Sequence, residues 1–86
     1  MKQLIIYSHP NPASFNHAIL ETARETLTAK GDEVIVRDLY ALNFDPVLKG
    51  SDFEKLMSGQ TTADIKTEQD HIRWADSLVF IYPIWW

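Results

Sequence analysis

Two short segments contain the residues whose types and spacing could bind a ligand. The first, residues 9–16, reads HPNPASFN and combines an imidazole with a hydroxyl at Ser14 and an amide at Asn16. The second, residues 83–86, reads PIWW and places two adjacent indoles after a proline. Small polar donors suit an anion, and indoles suit a flat ring. Each segment directly follows an apolar run.

The first segment leads into a predicted helix. Ser14 can cap a helix whose apolar residues fall at helical spacing and which ends near Lys30. Unpaired N–H groups and the dipole at a helix N-terminus favour a phosphate, to which Ser14, Asn16 and His9 can add donors. The alternative is that Ser14 is only a cap and Phe15 only a core residue. None of the three glycines falls in residues 9–16, which argues against a Gly-rich dinucleotide turn or a P-loop.

The second segment leaves the apolar run at residues 77–82. Pro83 fixes the backbone there, which helps a rigid loop present its N–H groups to the edge of a ring. Such groups near a flavin would tune its reduction. The alternative is that Trp85 and Trp86 fill a hydrophobic seam. Taken together, the two segments predict a flavin site, with phosphate at the first segment and the ring at the second.

Apolar runs and helical periodicity predict the elements that position these segments. Continuous apolar runs without polar alternation are typical of strands buried on both faces of a parallel sheet. The expected elements are a strand at residues 3–8, a helix from Ser14 to Lys30, a strand at 34–36, a loop at 38–50 with apolar anchors, a helix from Ser51 to about Gly59, a helix from Thr61 to about Asp76, and a strand at 77–82.

This alternation predicts an α/β fold with a doubly wound parallel sheet. In the flavodoxin-like strand order, the chain leaves the first strand for the second and then crosses back to the third on the other side. With three strands the order is 2-1-3, flanked by helices. The crevice then opens between the carboxyl ends of the first and third strands, where residues 9–16 and 83–86 begin.

Composition excludes several classes of function. The chain has 86 residues, a formal net charge of -4 and eight scattered Lys and Arg residues, which disfavours nucleic acid or an anionic membrane as a partner. The lack of Cys excludes thiolate metal sites and cysteine nucleophiles, and the spacing of the three histidines fits no common zinc pattern. No signal peptide or run of 18 apolar residues is present, so we expect one cytoplasmic domain without membrane insertion.

Three segments resemble the flavodoxin-like NAD(P)H dehydrogenases (quinone): residues 9–16, residues 37–46 (RDLYALNFDP) and residues 80–86 (FIYPIWW). The resemblance implies a bound FAD, with FMN as the alternative, NAD(P)H as electron donor, a quinone as acceptor and a homodimeric full-length protein. It places His9, Ser14, Phe15 and Asn16 around the flavin pyrophosphate, and Pro83, Ile84, Trp85 and Trp86 along the isoalloxazine ring.

Members of that family continue beyond this point with further strands and with the residues implicated in hydride transfer. No catalytic acid or base can therefore be assigned here. We expect residues 1–86 to be the N-terminal part of a single flavodoxin-like flavin-binding domain, inactive on its own. The alternative functions are a flavodoxin-like electron carrier, a regulatory or accessory subunit of a transport system, or an inactive fragment.

Overall fold

The computed structural model describes residues 1–47 and 49–84, and within them a parallel three-stranded sheet is flanked by helices. The strand order is β2-β1-β3, which confirms the predicted fold class. The elements are β1 (Lys2–Tyr7), α1 (Phe15–Ala29), β2 (Glu33–Asp38), α2 (Gly50–Met57), α3 (Ala63–Trp74) and β3 (Ser77–Ile81). Within those described ranges, no helix is long and apolar enough to cross a membrane.

β1 is the central strand and carries most of the core. Leu4, Ile5 and Tyr7 are almost fully buried, as predicted for a strand covered on both faces. Ile5 and Tyr7 pack with Leu20 of α1 and Ile81 of β3 in one hydrophobic cluster. β1 pairs with both neighbours, and its last residue, Tyr7, is in register with Asp38 of β2 and Ile81 of β3. The carboxyl ends of the three strands therefore lie side by side.

α1 begins and ends as predicted, but part of its predicted apolar face is wrong. Ser14 caps the helix and Lys30 ends it. Phe15, however, is 79% exposed, whereas Leu20 is the buried residue of the helix. Phe15 lies about 140° around the helix from Leu20, so the two cannot face the sheet together. Phe15 is therefore not part of the core that residues 1–47 and 49–84 form.

The starts of α2 and α3 differ from the predicted starts at Ser51 and Thr61. The residue before α2 is Lys49 rather than Ser51, and the residue before α3 is Thr62 rather than Thr61. At α2 the Asp52 carboxylate accepts the backbone N–H of Lys49 at 2.9 Å. At α2, the Asp52 carboxylate in the first turn thus fixes the helix start, rather than the hydroxyl of Ser51.

β3 is less covered than its apolar sequence predicts. Ile81 is buried, but Phe80 is 59% exposed and Leu78 is also exposed. Among the described residues β3 pairs with β1 alone, and α1 lies against the face that carries Val79 and Ile81. Among the described residues, β3 is therefore covered on one face only.

Candidate functional site

The loops that follow β1 and β3 start side by side. Tyr7 is in register with Ile81, and the N–H of Ser8 donates to the carbonyl of Ile81 at 3.0 Å. This hydrogen bond extends the pairing by one residue beyond the strands. The carboxyl ends of the first and third strands are therefore neighbours, as the strand order predicts.

The loop after β1 is organised by Asn11, a residue that sequence reasoning missed. The Asn11 N–H donates to Nδ1 of His9 at 3.0 Å, and its side-chain oxygen accepts the N–H of Ala13 at 2.9 Å. Its carbonyl accepts the N–H of Ser14 at 3.1 Å. An Asn that bonds the backbone two residues on is typical of tight turns, and the Pro-Asn-Pro sequence carries that signal. Asn11 thus fixes His9 and Ser14 relative to each other.

Ser14 keeps a donor available at the start of α1. Its Oγ accepts the N–H of His17 at 3.1 Å, so the hydroxyl hydrogen can still be donated outward. The amides of Phe15 and Asn16 precede the first position that has an intrahelical acceptor. Neither donates a hydrogen bond to another group in the part of the chain that the structure describes. Three donors at a helix N-terminus can hold a phosphate oxygen or a pyrophosphate.

The structure describes half of the second segment. Pro83 is half-buried next to the end of β3, and Ile84 is 67% exposed. Trp85 and Trp86 lie outside the described residues, so their part in a ring site stays a prediction. Pro83 and Ile84 follow the strand whose end adjoins the Ser14 loop.

A second concavity lies elsewhere, between the loop after β2 and the two short helices. It has a volume of about 600 Å³ and is lined in part by Asp45, Lys49 and Asp64. Lys49 Nζ lies 2.6 Å from Asp45, and this contact raises the pKa of Lys49 and lowers the pKa of Asp45. The pKa of Asp64 is lowered by the hydroxyl of Thr62. The charged side chains named here as lining this concavity thus already have partners within the fold.

No metal centre is visible in the described ranges, 1–47 and 49–84, because no three His, Asp or Glu side chains converge there. His17 packs edge-on against the ring of Tyr7, with 6.0 Å between the ring centroids. It also lies 3.7 Å from Glu21. The His17 ring is half-buried.

Comparison with known families matches the whole chain, residues 1–86, to the family Flavodoxin_2, described as having a flavodoxin-like fold. The chain belongs to this family. The strand order β2-β1-β3 agrees with the flavodoxin-like order of a doubly wound sheet.

Similar proteins point to one class of oxidoreductase. An uncharacterized NAD(P)H oxidoreductase of Haemophilus influenzae is 38% identical over the whole chain, which covers 43% of that relative. NAD(P)H dehydrogenase [quinone] 1 of Cavia porcellus is 35% identical over 99% of the chain and 37% of the relative. The structure of an NAD(P)H:quinone oxidoreductase from Methanothermobacter marburgensis superposes with a TM-score of 0.89 at 36% identity, over 100% of this chain and 46% of that one. The chain thus spans less than half the length of these relatives.

Proposed function

We propose that this chain is the N-terminal part of a flavin-binding domain that transfers a hydride from NAD(P)H, through bound FAD, to a quinone. FMN is the alternative flavin. The similarity to NAD(P)H:quinone oxidoreductases supports the class of reaction. The observation that carries the proposal is the cluster of donors at the start of α1, beside the end of β3.

In this proposal the chain binds the cofactor at two places. His9, Ser14, Phe15 and Asn16 hold the pyrophosphate, because their amides and side chains meet at the positive end of the α1 dipole. The ring lies along the second segment. That segment consists of Pro83, Ile84, Trp85 and Trp86.

The flavin supplies the hydride chemistry when it is bound, and the chain supplies binding and orientation. The Asn11 turn fixes the phosphate donors before the ligand arrives, which lowers the entropic cost of binding. Exposed Phe15 and Ile84 can cover apolar parts of a bound cofactor and exclude water from it. We assign no acid or base within residues 1–86. A homodimer and a cytoplasmic location belong to the same proposal.

The first experiment measures flavin binding and turnover in the longest protein that the gene encodes. We expect co-purification of one flavin per chain and oxidation of NADH or NADPH that depends on a quinone. Flavin binding without turnover would favour an electron carrier or an accessory subunit. A protein that binds no flavin would refute the proposal.

The variant Ser14→Asp tests the phosphate assignment. Aspartate caps a helix as well as serine does, but it has no hydrogen to donate and adds a negative charge where a phosphate would lie. We expect flavin affinity to fall by about 100-fold or more, since two favourable terms of about 1–2 kcal/mol each are lost. Thermal unfolding should change little. The matched control is Ser51→Asp in the first turn of α2, which should leave flavin affinity unchanged.

A further inference from the structure

The imidazole of His9 is held by the backbone of its own loop. Nδ1 of His9 accepts the N–H of Asn11 at 3.0 Å. A ring nitrogen that accepts a hydrogen bond carries no hydrogen itself, so the single hydrogen of the neutral ring lies on Nε2. The Asn11 amide therefore selects one of the two neutral forms of His9, the form in which Nε2–H is the donor.

The rest of Asn11 keeps its amide in this position. The side-chain Oδ1 accepts the N–H of Ala13 at 2.9 Å, and the carbonyl accepts the N–H of Ser14 at 3.1 Å. Asn11 also stands between two prolines, which fix φ at both neighbouring positions and have no N–H of their own. The Asn11 N–H thus has little freedom to turn away from the His9 ring.

The segment that leads into α1 contains no Lys or Arg. Within residues 8–17, histidine is the one residue type that can become a cation near neutral pH. With His9 in the neutral form, the donors around the start of α1 are all uncharged: Nε2–H of His9, the hydroxyl of Ser14 and the first amides of the helix. These groups hold an anion through the direction of their hydrogen bonds and through the helix dipole.

We infer that Asn11 is a positioning residue, which holds His9 as an uncharged Nε2–H donor to the phosphate group bound at the start of α1. The inference rests on the proposed flavin function for the identity of that phosphate. Asn11 acts through His9 and needs no contact with the flavin. The role of Asn11 is therefore visible in the state of the His9 ring as well as in affinity.

The form of the His9 ring is measured without flavin, in the longest protein that the gene encodes. Long-range ¹H–¹⁵N correlation at pH 8, where imidazoles are neutral, shows which ring nitrogen carries the hydrogen. We expect the Nε2–H form alone for His9. His71 of α3 is the internal control, because its ring has no hydrogen bond within residues 1–47 and 49–84 and should show both forms. An Nδ1–H form of His9, or the same mixture as at His71, overturns the inference.

Two replacements of His9 separate its acceptor from its donor. In His9→Asn the side-chain oxygen lies near the position of Nδ1 and can accept the Asn11 N–H, but nothing donates from the position of Nε2. In His9→Gln the side-chain nitrogen reaches the position of Nε2, but the acceptor for Asn11 is lost. We expect flavin affinity to fall about tenfold in His9→Asn and about threefold in His9→Gln.

The same two replacements at His71 are the control and should leave flavin affinity unchanged. Wild-type affinity in His9→Asn would mean that His9 only supports the loop. Wild-type affinity in His9→Gln would mean that the donor needs no positioning by Asn11. Either result overturns the inference.

Asn11→Ala and Asn11→Ser test the positioning role itself. Alanine removes the acceptor for the Ala13 N–H, whereas a serine hydroxyl can accept from the backbone two residues on. We expect both forms of the His9 ring and about threefold weaker flavin binding in Asn11→Ala, and recovery of both properties in Asn11→Ser. A wild-type ring and wild-type affinity in Asn11→Ala overturn the inference.

A titration with inorganic pyrophosphate separates failure of the inference from failure of the proposed function. Pyrophosphate is added to flavin-free wild type and His9→Asn while the backbone ¹H–¹⁵N signals of Phe15 and Asn16 are followed. Shifts that saturate in wild type and need about tenfold more pyrophosphate in His9→Asn support the inference even if no flavin binds. Equal titration curves, or unchanged signals in wild type, overturn it whatever the outcome for the flavin.

Discussion

The polar groups at the two ends of the sheet differ in how many hydrogen-bond partners they have within the fold. At the amino end, the Asp32 carboxylate lies within 3.3 Å of three donors, the N-terminal amine, Gln3 Nε2 and Lys30 Nζ. At the carboxyl end, Ser14 keeps a hydrogen to donate and the Tyr7 hydroxyl has no partner among the described residues. The carboxylate at the amino end thus has several partners within the fold, whereas two hydroxyl groups at the carboxyl end still have a hydrogen to donate.

This difference separates stability from ligand binding. Asp76, also at the amino end, joins the start of β3 to β1, because its carboxylate accepts the N–H of Lys2 at 2.9 Å and its own N–H donates to the Lys2 carbonyl at 2.8 Å. Asp32 and Asp76 thus use their carboxylates in contacts within the fold. Unsatisfied donors lower stability slightly but can be used by a bound group. We therefore expect changes at the amino end to alter stability alone, and changes at the carboxyl end to alter affinity first.

The largest expected effect concerns the 86-residue chain studied by itself. Leu78 and Phe80 are exposed on β3, which pairs with one strand among the described residues, and apolar edges of this kind associate with other chains. Net stability is about 0.1 kcal/mol per residue even in whole domains. We expect the isolated chain to self-associate and to bind no flavin stably. Size-exclusion chromatography measures both, and a yellow monodisperse monomer would contradict the expectation.

Phe80→Lys sharpens this test. A charge on the exposed face of β3 should shift the isolated chain towards smaller species, because edge-to-edge pairing would place like charges together. Met57→Lys is the control, since Met57 is exposed at the end of α2 and away from β3. Equal effects of the two variants would mean that general solubility, and not the β3 edge, controls association.

A stability effect without an affinity effect is expected at the amino end. Asp32→Ala leaves the amine of Met1, Gln3 and Lys30 without their shared acceptor, so the midpoint of thermal unfolding should fall. The fall should exceed that of Asp70→Ala, whose carboxylate pairs with Lys66 on the exposed surface of α3. Flavin affinity should be the same in both variants. A weaker flavin affinity in Asp32→Ala would contradict the expectation that changes at the amino end alter stability alone.

A smaller effect is expected at Asn16. Replacing Asn16 with Ala removes one side-chain donor from the phosphate end, so flavin affinity should fall about three- to tenfold. The reduction potential of the bound flavin should stay nearly unchanged, because groups near the ring set it. Fluorescence titration measures the affinity, and spectroelectrochemistry measures the potential. A large shift in potential at unchanged affinity would place Asn16 near the ring instead.

The smallest effect is a pH dependence at the amino end. The side chain of Gln3, followed by the N-terminal amine and Lys30, lowers the pKa of Asp32. The unfolded chain therefore binds this proton more readily, so the stabilisation is present above about pH 4 and is lost as the pH falls through the folded pKa. Asp32→Asn should lose this contribution. The difference in unfolding midpoint between wild type and Asp32→Asn should shrink from pH 6 to pH 3, and a constant difference would argue against the assignment.

The strand and helix order followed from the sequence alone because apolar runs and turn residues are local signals. Residues 3–8 and 77–82 read as strands, and the structure has strands at Lys2–Tyr7 and Ser77–Ile81, within one residue at each end. Ser14 read as a helix cap and is one. The order β2-β1-β3 and the neighbouring ends of β1 and β3 followed from the flavodoxin-like strand order that this alternation of strands and helices suggests.

Other features did not follow because they depend on competing contacts. Residues 15, 19 and 20 of α1 are all apolar, and the position of the sheet decides that Leu20 is buried while Phe15 faces solvent. Ser51 and Thr61 are good caps by type, yet a nearby carboxylate or the path of the loop moves each helix start by one or two residues. Periodicity alone cannot rank such alternatives.

The sequence determined the class of fold, the two segments at the carboxyl edge and the family resemblance, because these depend on residue type and on spacing along the chain. Tertiary structure alone decided that Asn11 fixes His9 and Ser14 relative to each other. It also decided that the Tyr7 hydroxyl is buried without a hydrogen-bond partner among residues 1–47 and 49–84, and that Tyr7 and Asp38 line one cavity. Tyr7 and Asp38 are 31 positions apart and end neighbouring strands in direct register. Their proximity is set by strand pairing, a long-range property that no local pattern encodes.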